Sequence, residues 1–322
     1  MGKGRFVSGI IKLQAFIASL ALLAAGSVPI AAQEPPAPQS GPEAAPDADS
    51  PVARGAYLFA AAGCHGCHTD VKNKGALLAG GRALATPFGT FYPPNITPDM
   101  ETGIGGWSDA DFARALRDGL SPSGDHLYPA FPYPSYTGMS DDDMRALKAY
   151  IFSLPSVRQE NREHELGFPF NWRFLLGGWK MLNFTPGALQ PDPAKGAAWN
   201  RGAYLVEALA HCGECHTPRG ALGGLDRDLW LSGTPDGPDG DKVANITPDE
   251  ATGLGAWSTS QITGALRTGL LPDGDVVGSV MGEVVQNSTS RLTGDDRAAI
   301  AEYLQALPPI ANPEAKATQP EY

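Results

Sequence analysis

Cysteine is scarce in this chain, and the few cysteines form a pattern. Only four of the 322 residues are cysteines, and all four belong to two copies of one five-residue arrangement. Residues 64–68 read CHGCH and residues 212–216 read CGECH, so no cysteine is left over. A pattern that accounts for every thiol of the chain, twice, is a stronger signal than a single copy would be.

Positive charge is also in short supply. Lysine and arginine number 24 against 35 aspartates and glutamates, which gives a formal net charge of −11. Such an acidic surface argues against nucleic acid, or an anionic membrane, as the partner. It favours docking on a basic patch of another protein, with an association that weakens as salt is added.

Long hydrophobic runs are missing too. The apolar run over residues 13–25 is about thirteen residues long, which is short for a membrane span. Three basic residues precede it, and small residues follow at Ala31 and Ala32. This order predicts a signal peptide over residues 1–32, with retention as a membrane anchor as the alternative. Residues 33–51, rich in Pro, Ala and Asp, predict a disordered leader.

The CxxCH pattern is the arrangement that attaches a c-type haem. On a helix, cysteines three residues apart lie on one face, where each thiol can form a thioether with one vinyl group. The histidine that follows then lies beneath the iron as its proximal ligand. The pattern predicts two covalently bound haem c groups, held by Cys64, Cys67, Cys212 and Cys215, with His68 and His216 as axial iron ligands. Haem is attached to c-type cytochromes on the far side of the bacterial inner membrane, so the haem motifs agree with the predicted signal peptide. We therefore expect a periplasmic protein, free or bound to the periplasmic face of that membrane.

Two other chemistries use paired cysteines. Four thiolates can hold a structural zinc ion, and a CxxC pair near a βαβ unit can be a redox-active dithiol. Neither requires a histidine directly after the second cysteine in both copies, and no βαβ alternation is visible. Haem attachment is therefore the favoured interpretation, and zinc and thiol chemistry are the alternatives.

Each haem motif lies within a longer repeat. The string RGAYL occurs at residues 54–58 and 201–205, and NITPD occurs at residues 95–99 and 245–249. The offset drifts only from 147 to 150 residues, which indicates a tandem duplication of one domain. We predict a first domain over residues 52–157, a linker over residues 158–198, a second domain over residues 199–310 and a tail over residues 311–322.

Helices are the regular structure that both repeats predict. The first helix ends at the haem motif, the second begins at the N-cap Ser108 and stops before Gly119, and the third follows Ser140. The signals recur from Ser258 onward and again from Asp295 onward. No alternating strand pattern is convincing, so the predicted class is mainly α, with long loops.

The linker contains a strongly aromatic stretch. Residues 168–184 include four phenylalanines and two tryptophans, together with Arg173 and Lys180. One interpretation is that the stretch covers the seam between the two domains. The other is that it forms a docking face for a partner subunit or for the membrane interface, which would give peripheral membrane association.

The sixth iron ligand differs between the two repeats. Met281, on a predicted loop, is the only methionine after the second haem motif, and we predict that it binds the second iron. Aligning the repeats places Phe131 opposite Met281, and phenylalanine cannot bind iron. Met139 is the predicted ligand of the first iron, and His126, Met100 or an open position are the alternatives.

Taken together, these motifs resemble the multihaem cytochrome c subunits of bacterial membrane-associated dehydrogenases, such as those for alcohols and gluconate. The resemblance covers residues 54–308 and rests on the two haem motifs, the RGAYL and NITPD strings, the aromatic linker and residues 127–136. It implies tandem class I cytochrome c domains and the haem-binding residues named above. Many members have a third haem domain, and many have methionine at the position of Phe131, so this chain departs from them at both points.

The resemblance implies an electron-transfer protein rather than an enzyme. Its donor would be the catalytic subunit of a dehydrogenase, and its acceptor would be quinone, another cytochrome or an oxidase. The alternative is a dihaem enzyme of the peroxidase or thiosulfate-oxidising type, with an open iron in the first domain. A colourless, zinc-stabilised binding module is the third hypothesis.

Overall fold

The structure, a computed structural model, describes residues 50–317. The predicted signal peptide and nearly all of the predicted leader lie outside these residues. The chain forms a first half over residues 50–166, a bridging segment over residues 167–196 and a second half over residues 197–317. The two halves repeat one mainly helical arrangement.

The first half contains five helices and three short strands. These are α1 (Pro51–Ala61), α2 (Cys64–His68), β1 (Leu84–Thr86), β2 (Gly89–Phe91), α3 (Asp109–Asp118), α4 (Tyr133–Tyr136), α5 (Asp141–Ser153) and β3 (Glu165–Leu166). The bridging segment contains α6 (Leu175–Asn183). The second half contains α7 (Ala197–Ala203), α8 (Gly213–His216), α9 (Thr259–Thr268), α10 (Ser279–Asn287) and α11 (Gly294–Gln305). A π-helical stretch, Tyr204–Leu209, continues α7.

Capping signals place the helix ends as the sequence predicts. The hydroxyl of Ser108 accepts from the backbone of Asp111 at the start of α3, and Asp111 bonds back to Ser108. Gly119 ends α3 in a left-handed conformation with φ of 61°, which glycine adopts without steric cost. Ser258 and Gly269 begin and end α9 in the same way.

A close helix crossing organises the core of each half. In the first half α1 packs across α5, and a Cβ on Gly55 would lie 2.0 Å from the carbonyl oxygen of Ala146. In the second half α7 packs across α11, and a Cβ on Gly202 would lie 2.1 Å from the carbonyl oxygen of Ala299. Only glycine fits at either crossing, which accounts for the glycine in both copies of the RGAYL string.

The two halves are joined by one hydrophobic cluster and by reciprocal polar contacts. The cluster contains buried side chains from both halves. The hydroxyl of Tyr57 on α1 donates to Asp296 on α11, and the hydroxyl of Tyr204 donates to Asp143 on α5, each at a distance of 2.5 Å. Each half therefore contributes a tyrosine to the last helix of the other, as two repeats related by an approximate twofold axis would do.

The three strands form a small antiparallel sheet in the order β1-β2-β3. The sequence did not predict them, because strands of two or three residues are too short to show alternation. Strand β3 and the residues before it extend the first half beyond the predicted boundary at residue 157. The side chain of Asn95 donates to the carbonyl of Val157 at 2.7 Å, and the side chain of Asn161 accepts from the backbone of Asn95. Part of the predicted linker thus belongs to the first half.

The bridging segment contacts both halves with its inner side chains. Lys180 donates to the carbonyls of Asp118 and Gly119 in the first half, and the indole of Trp179 donates to the carbonyl of Leu222 in the second. These contacts support the seam interpretation. Its outer side chains are exposed, and they include Phe168, Trp172, Phe174, Met181 and Leu182. Among the helices of residues 50–317, none has the length and apolarity needed to cross a bilayer.

Candidate haem-attachment sites

The first CHGCH motif forms the short helix α2. The chain turns from α1 into α2 at Gly63, whose left-handed conformation has a φ of 66°. In the second half the same turn is made by His211, with a φ of 42°. A histidine rarely adopts this conformation. Contacts with the first half hold it there, because its Nε2 lies 3.2 Å from the carbonyl oxygen of Ala62 and its ring packs on Tyr136.

None of the four cysteines forms a disulfide, and each lies on a helical turn and is partly buried. Burial raises the pKa of Cys64 and of Cys212 to about 12. A redox-active cysteine has a lowered pKa, because the thiolate is the reacting form. Within residues 50–317, no three Cys, His, Asp or Glu side chains converge as a metal-binding group. The zinc and dithiol alternatives therefore gain no support from the structure.

The histidine that ends each motif is oriented by a backbone carbonyl. The Nδ1 atom of His68 lies 2.8 Å from the carbonyl oxygen of Pro94, and the Nδ1 atom of His216 lies 2.7 Å from that of Ala244. Nδ1–H donates in both bonds, which leaves Nε2 with a lone pair for a metal. Burial lowers the pKa of both imidazoles, so the neutral, ligating form is favoured. This donor set fits covalent haem with histidine as the proximal ligand in both halves.

Met281, the predicted ligand of the second iron, lies on α10 and is partly buried. The prediction that it lies on a loop is wrong. The N-cap of α10 is Gly278, so no side chain caps this helix. The helix is stabilised by the packing of Val285 in the interior. The position remains well ahead of the last helix, as predicted.

Met139, the predicted ligand of the first iron, lies in the protein core. Its side chain is 0% exposed, and its backbone N–H donates to the carbonyl of Tyr136. Phe131 is partly buried against the rings of Tyr133 and Tyr136. Of the alternative donors, Met100 is 73% exposed, and His126 lies against α6 near Gly177.

The two haem motifs face each other across the boundary between the halves. Tyr136 donates to the carbonyl of Ala62, two residues ahead of the first motif, while its ring contacts His211, directly ahead of the second. Ser135 donates to Glu214, inside the second motif, at 2.8 Å. Burial raises the pKa of Cys215 to about 11, with smaller effects from Glu214 and, across the boundary, from Cys67.

These interface residues were not predicted as functional from the sequence. The available signal was position alone, since Ala62 lies two residues before Cys64 and His211 lies one residue before Cys212. Nothing in the sequence indicated that residues 135 and 136 would meet them, because the separations are 74 residues or more.

Comparison with known proteins identifies the family of this chain. The sequence pattern of the Cytochrome c family matches residues 52–155. A diheme cytochrome c-type protein of Cereibacter sphaeroides is 44% identical over 280 residues, which are 84% of this chain and 91% of that protein. The gluconate 2-dehydrogenase cytochrome c subunit of Pantoea cypripedii is 42% identical, over 80% of this chain and 60% of the subunit.

The cytochrome c subunit of a quinone-type alcohol dehydrogenase of Gluconacetobacter polyoxogenes is 41% identical, over 82% of this chain and 58% of that subunit. This chain therefore spans about three fifths of the length of the two dehydrogenase subunits. The alignment with the diheme protein covers 84% of this chain and 91% of that protein. The chain belongs to the family of c-type cytochromes that includes diheme cytochromes c and the cytochrome c subunits of dehydrogenases.

Proposed function

We propose that this protein is a dihaem c-type cytochrome of two tandem class I domains. It passes electrons from the catalytic subunit of a dehydrogenase to quinone, another cytochrome or an oxidase. One observation carries the proposal: each half presents a CxxCH turn whose histidine has Nδ1 bonded to a backbone carbonyl. Haem c held at these turns supplies one-electron transfer.

The protein's own residues account for the attachment and for the short route between the sites. Cys64, Cys67, Cys212 and Cys215 attach the two groups, His68 and His216 are the proximal ligands, and Met281 is the sixth ligand in the second half. The contacts of Tyr136 with Ala62 and His211 hold the two motifs close together. Proximity of this kind favours rapid exchange of an electron between the two sites.

The proposed donor is supported by relatives that are named as subunits of dehydrogenases. The exposed outer face of the bridging segment supports association with such a subunit. Aromatic residues and methionine are enriched at the centres of protein interfaces, and charged residues are depleted there. Between Leu166 and Pro191 the sequence contains no acidic residue. The proposed location is the periplasm, where c-type haem is attached, free or at the face of the inner membrane.

The test uses the holoprotein in its native host. Pyridine haemochrome analysis and intact mass should give two haem groups per chain. Deleting the gene should then lower oxygen uptake by membranes that are supplied with one of ethanol, gluconate or fructose. The wild-type gene should restore that uptake, and a Cys212→Ser/Cys215→Ser variant should not.

The alternative function is a dihaem enzyme, and the Phe131 position is the observation that favours it. Turnover of hydrogen peroxide or thiosulfate by the purified protein would support the enzyme. The electron-transfer proposal is contradicted if oxygen uptake with ethanol, with gluconate and with fructose is in every case the same without the haem-replete chain.

A further inference from the structure

Equivalent structural features show which residues of the first half correspond to which residues of the second, both before and after the sixth-ligand position. In the first half the backbone N–H of Leu127 donates to the carbonyl of Gly119. In the second half the backbone N–H of Val277 donates to the carbonyl of Gly269, and both distances are 2.8 Å. The two bonds are equivalent and place the offset at 150 residues. Four residues later, Phe131 and Met281 therefore occupy the same place.

After that place the offset changes. The last helices α5 and α11 begin at the N-caps Ser140 and Thr293, which are 153 residues apart. Three residues into these helices, Asp143 and Asp296 each bind the arginine of the first helix in the same half. The second half thus has three additional residues between the sixth-ligand position and the last helix.

With this alignment Met139 corresponds to Leu292, since each directly precedes the N-cap of the last helix. Met139 is 0% exposed and Leu292 is 4% exposed, and both belong to the hydrophobic core. Leucine cannot bind iron, so the second half uses this position for packing alone. The burial of Met139 has the same explanation.

The other sulfur and imidazole donors of the first half lie elsewhere. Met144 is on α5, 1% exposed and within the core. Met100 lies on a turn and is 73% exposed. The ring of His126 lies beside the bridging segment, with Nε2 3.3 Å from the place of a Cβ on Gly177.

Aromatic side chains fill the segment that corresponds to the start of α10. Phe131 lies 5.6 Å from the ring of Tyr136 and 6.4 Å from that of Tyr133. The hydroxyl of Tyr136 is committed to the carbonyl of Ala62 at 2.8 Å. The hydroxyl of Tyr133 is buried and has no hydrogen-bond partner, so it remains a free donor in this segment.

We infer that Met139 is a core residue and that the first half provides no protein ligand at the sixth position of its iron. The place beside Phe131 then accepts a small neutral ligand of the carbon monoxide class. This inference rests on the proposed attachment of a haem at Cys64 and Cys67. It adds a ligand-binding site to one half of a protein whose other half is closed by Met281.

The experiment is a carbon monoxide titration of the ferrous holoprotein, followed by the absorption spectrum of the ferric form. Wild type should bind one carbon monoxide for each two haem groups and show one methionine–iron charge-transfer band. Met139→Leu should leave both results unchanged, because it places in the first half the residue that the second half has. Met144→Leu is the matched core control and should also leave them unchanged.

The sharpest variant is Phe131→Met, which places the thioether where the second half has it. It should gain a second charge-transfer band and lose carbon monoxide binding. Met281→Leu should do the reverse, with two ligands bound and the band lost. Met139→Leu and Met144→Leu, measured for thermal unfolding, show whether a core methionine can be replaced without loss of the fold.

Two results would overturn the inference. In the first, Met139→Leu removes a charge-transfer band and opens a second carbon monoxide site, which would make Met139 the ligand. In the second, wild type binds no carbon monoxide and Met139→Leu changes nothing, which would mean that another side chain fills the position. A haem content below two per chain is a different failure, because it contradicts the proposed function before any ligand is added.

Discussion

The two halves of this protein share the helix crossing and the CxxCH turn with its histidine, and they differ in the segment that precedes the last helix. Both have the glycine at the helix crossing, the arginine–aspartate pair between the first and last helices, and a histidine bonded to a backbone carbonyl. They differ where the sixth ligand is expected. The first half has the four-residue helix α4 there, and the second has the nine-residue helix α10.

This difference shows which features the fold requires. The shared features hold the first helix, the last helix and the CxxCH turn together, so changing any of them would disturb the core. The segment that contains the sixth-ligand position lies between two fixed points. One is the glycine that ends α3 or α9, and the other is the N-cap of the last helix. This segment can therefore change in length by three residues and exchange phenylalanine for methionine without moving either point.

The largest expected effect is on haem content. Cys64→Ser/Cys67→Ser should remove the first attachment site, and Cys212→Ser/Cys215→Ser should remove the second, because the thioethers form at these thiols. Each double variant should contain half of the wild-type haem by pyridine haemochrome analysis. If one pair of substitutions left the content unchanged, that half would not be an attachment site and the two halves would not be equivalent.

The next largest effect is on stability. Gly55→Ala and Gly202→Ala each place a methyl group against a backbone carbonyl, which cannot be relieved by a side-chain rotation. We expect each to lower the free energy of unfolding by about 3 kcal/mol, measured by guanidinium denaturation of the holoprotein.

The matched control for these glycines is Gly264→Ala within α9, where an added Cβ would have no atom within 4 Å. It should raise the stability by about 0.5 to 1 kcal/mol, because alanine is the better helix former. Equal tolerance of all three substitutions would mean that the helices do not cross at the glycines.

A smaller effect is expected at the reciprocal tyrosines. Tyr57→Phe and Tyr204→Phe each remove a hydrogen bond to a carboxylate of the other half, so each should cost about 1.5 to 3 kcal/mol. The matched control is Tyr150→Phe, whose ring packs on Phe59 within the first half. Denaturant unfolding should show similar losses for the first two variants and a smaller one for the control. Very unequal losses would break the approximate symmetry.

The smallest effect is expected in the bridging segment, which lies outside both repeats. Phe174→Ser and Met181→Ser change exposed side chains, and the free energy of unfolding should stay within about 0.5 kcal/mol of wild type. Lys180→Met removes the donors to the carbonyls of Asp118 and Gly119 and should cost about 1 kcal/mol or more. A large loss at Phe174 would place its ring in the core rather than on the surface.

Much of the fold follows from local signals in the sequence. The helices α3, α5 and α9 begin at Ser108, Ser140 and Ser258, as their capping residues predict. The short strands did not follow, because three residues show no period. The helix around Met281 was missed because it has no side-chain cap, so tertiary packing rather than local preference stabilises it.

The boundaries of the halves also depended on long-range contacts. Residues 158–166 were predicted to be linker, yet Asn161 accepts a hydrogen bond from the backbone of Asn95. In the same way Ala315, in the predicted tail, accepts from the backbone of Asn245, and Ile310, the last residue of the predicted second domain, accepts from its side chain. A buried asparagine needs partners for its amide and its backbone, and no local pattern reveals which distant residues supply them.

By itself the sequence predicted the attachment chemistry and the number of repeats. Two thioethers and a proximal ligand need residues at i, i+3 and i+4, and such short spacings are visible in the chain without any knowledge of the fold. Only the tertiary structure decided the burial of Met139 and the contact between the residues that precede the two motifs. Both depend on residues that lie far apart in sequence, and their meeting is set by how the helices pack, not by the order of neighbouring residues.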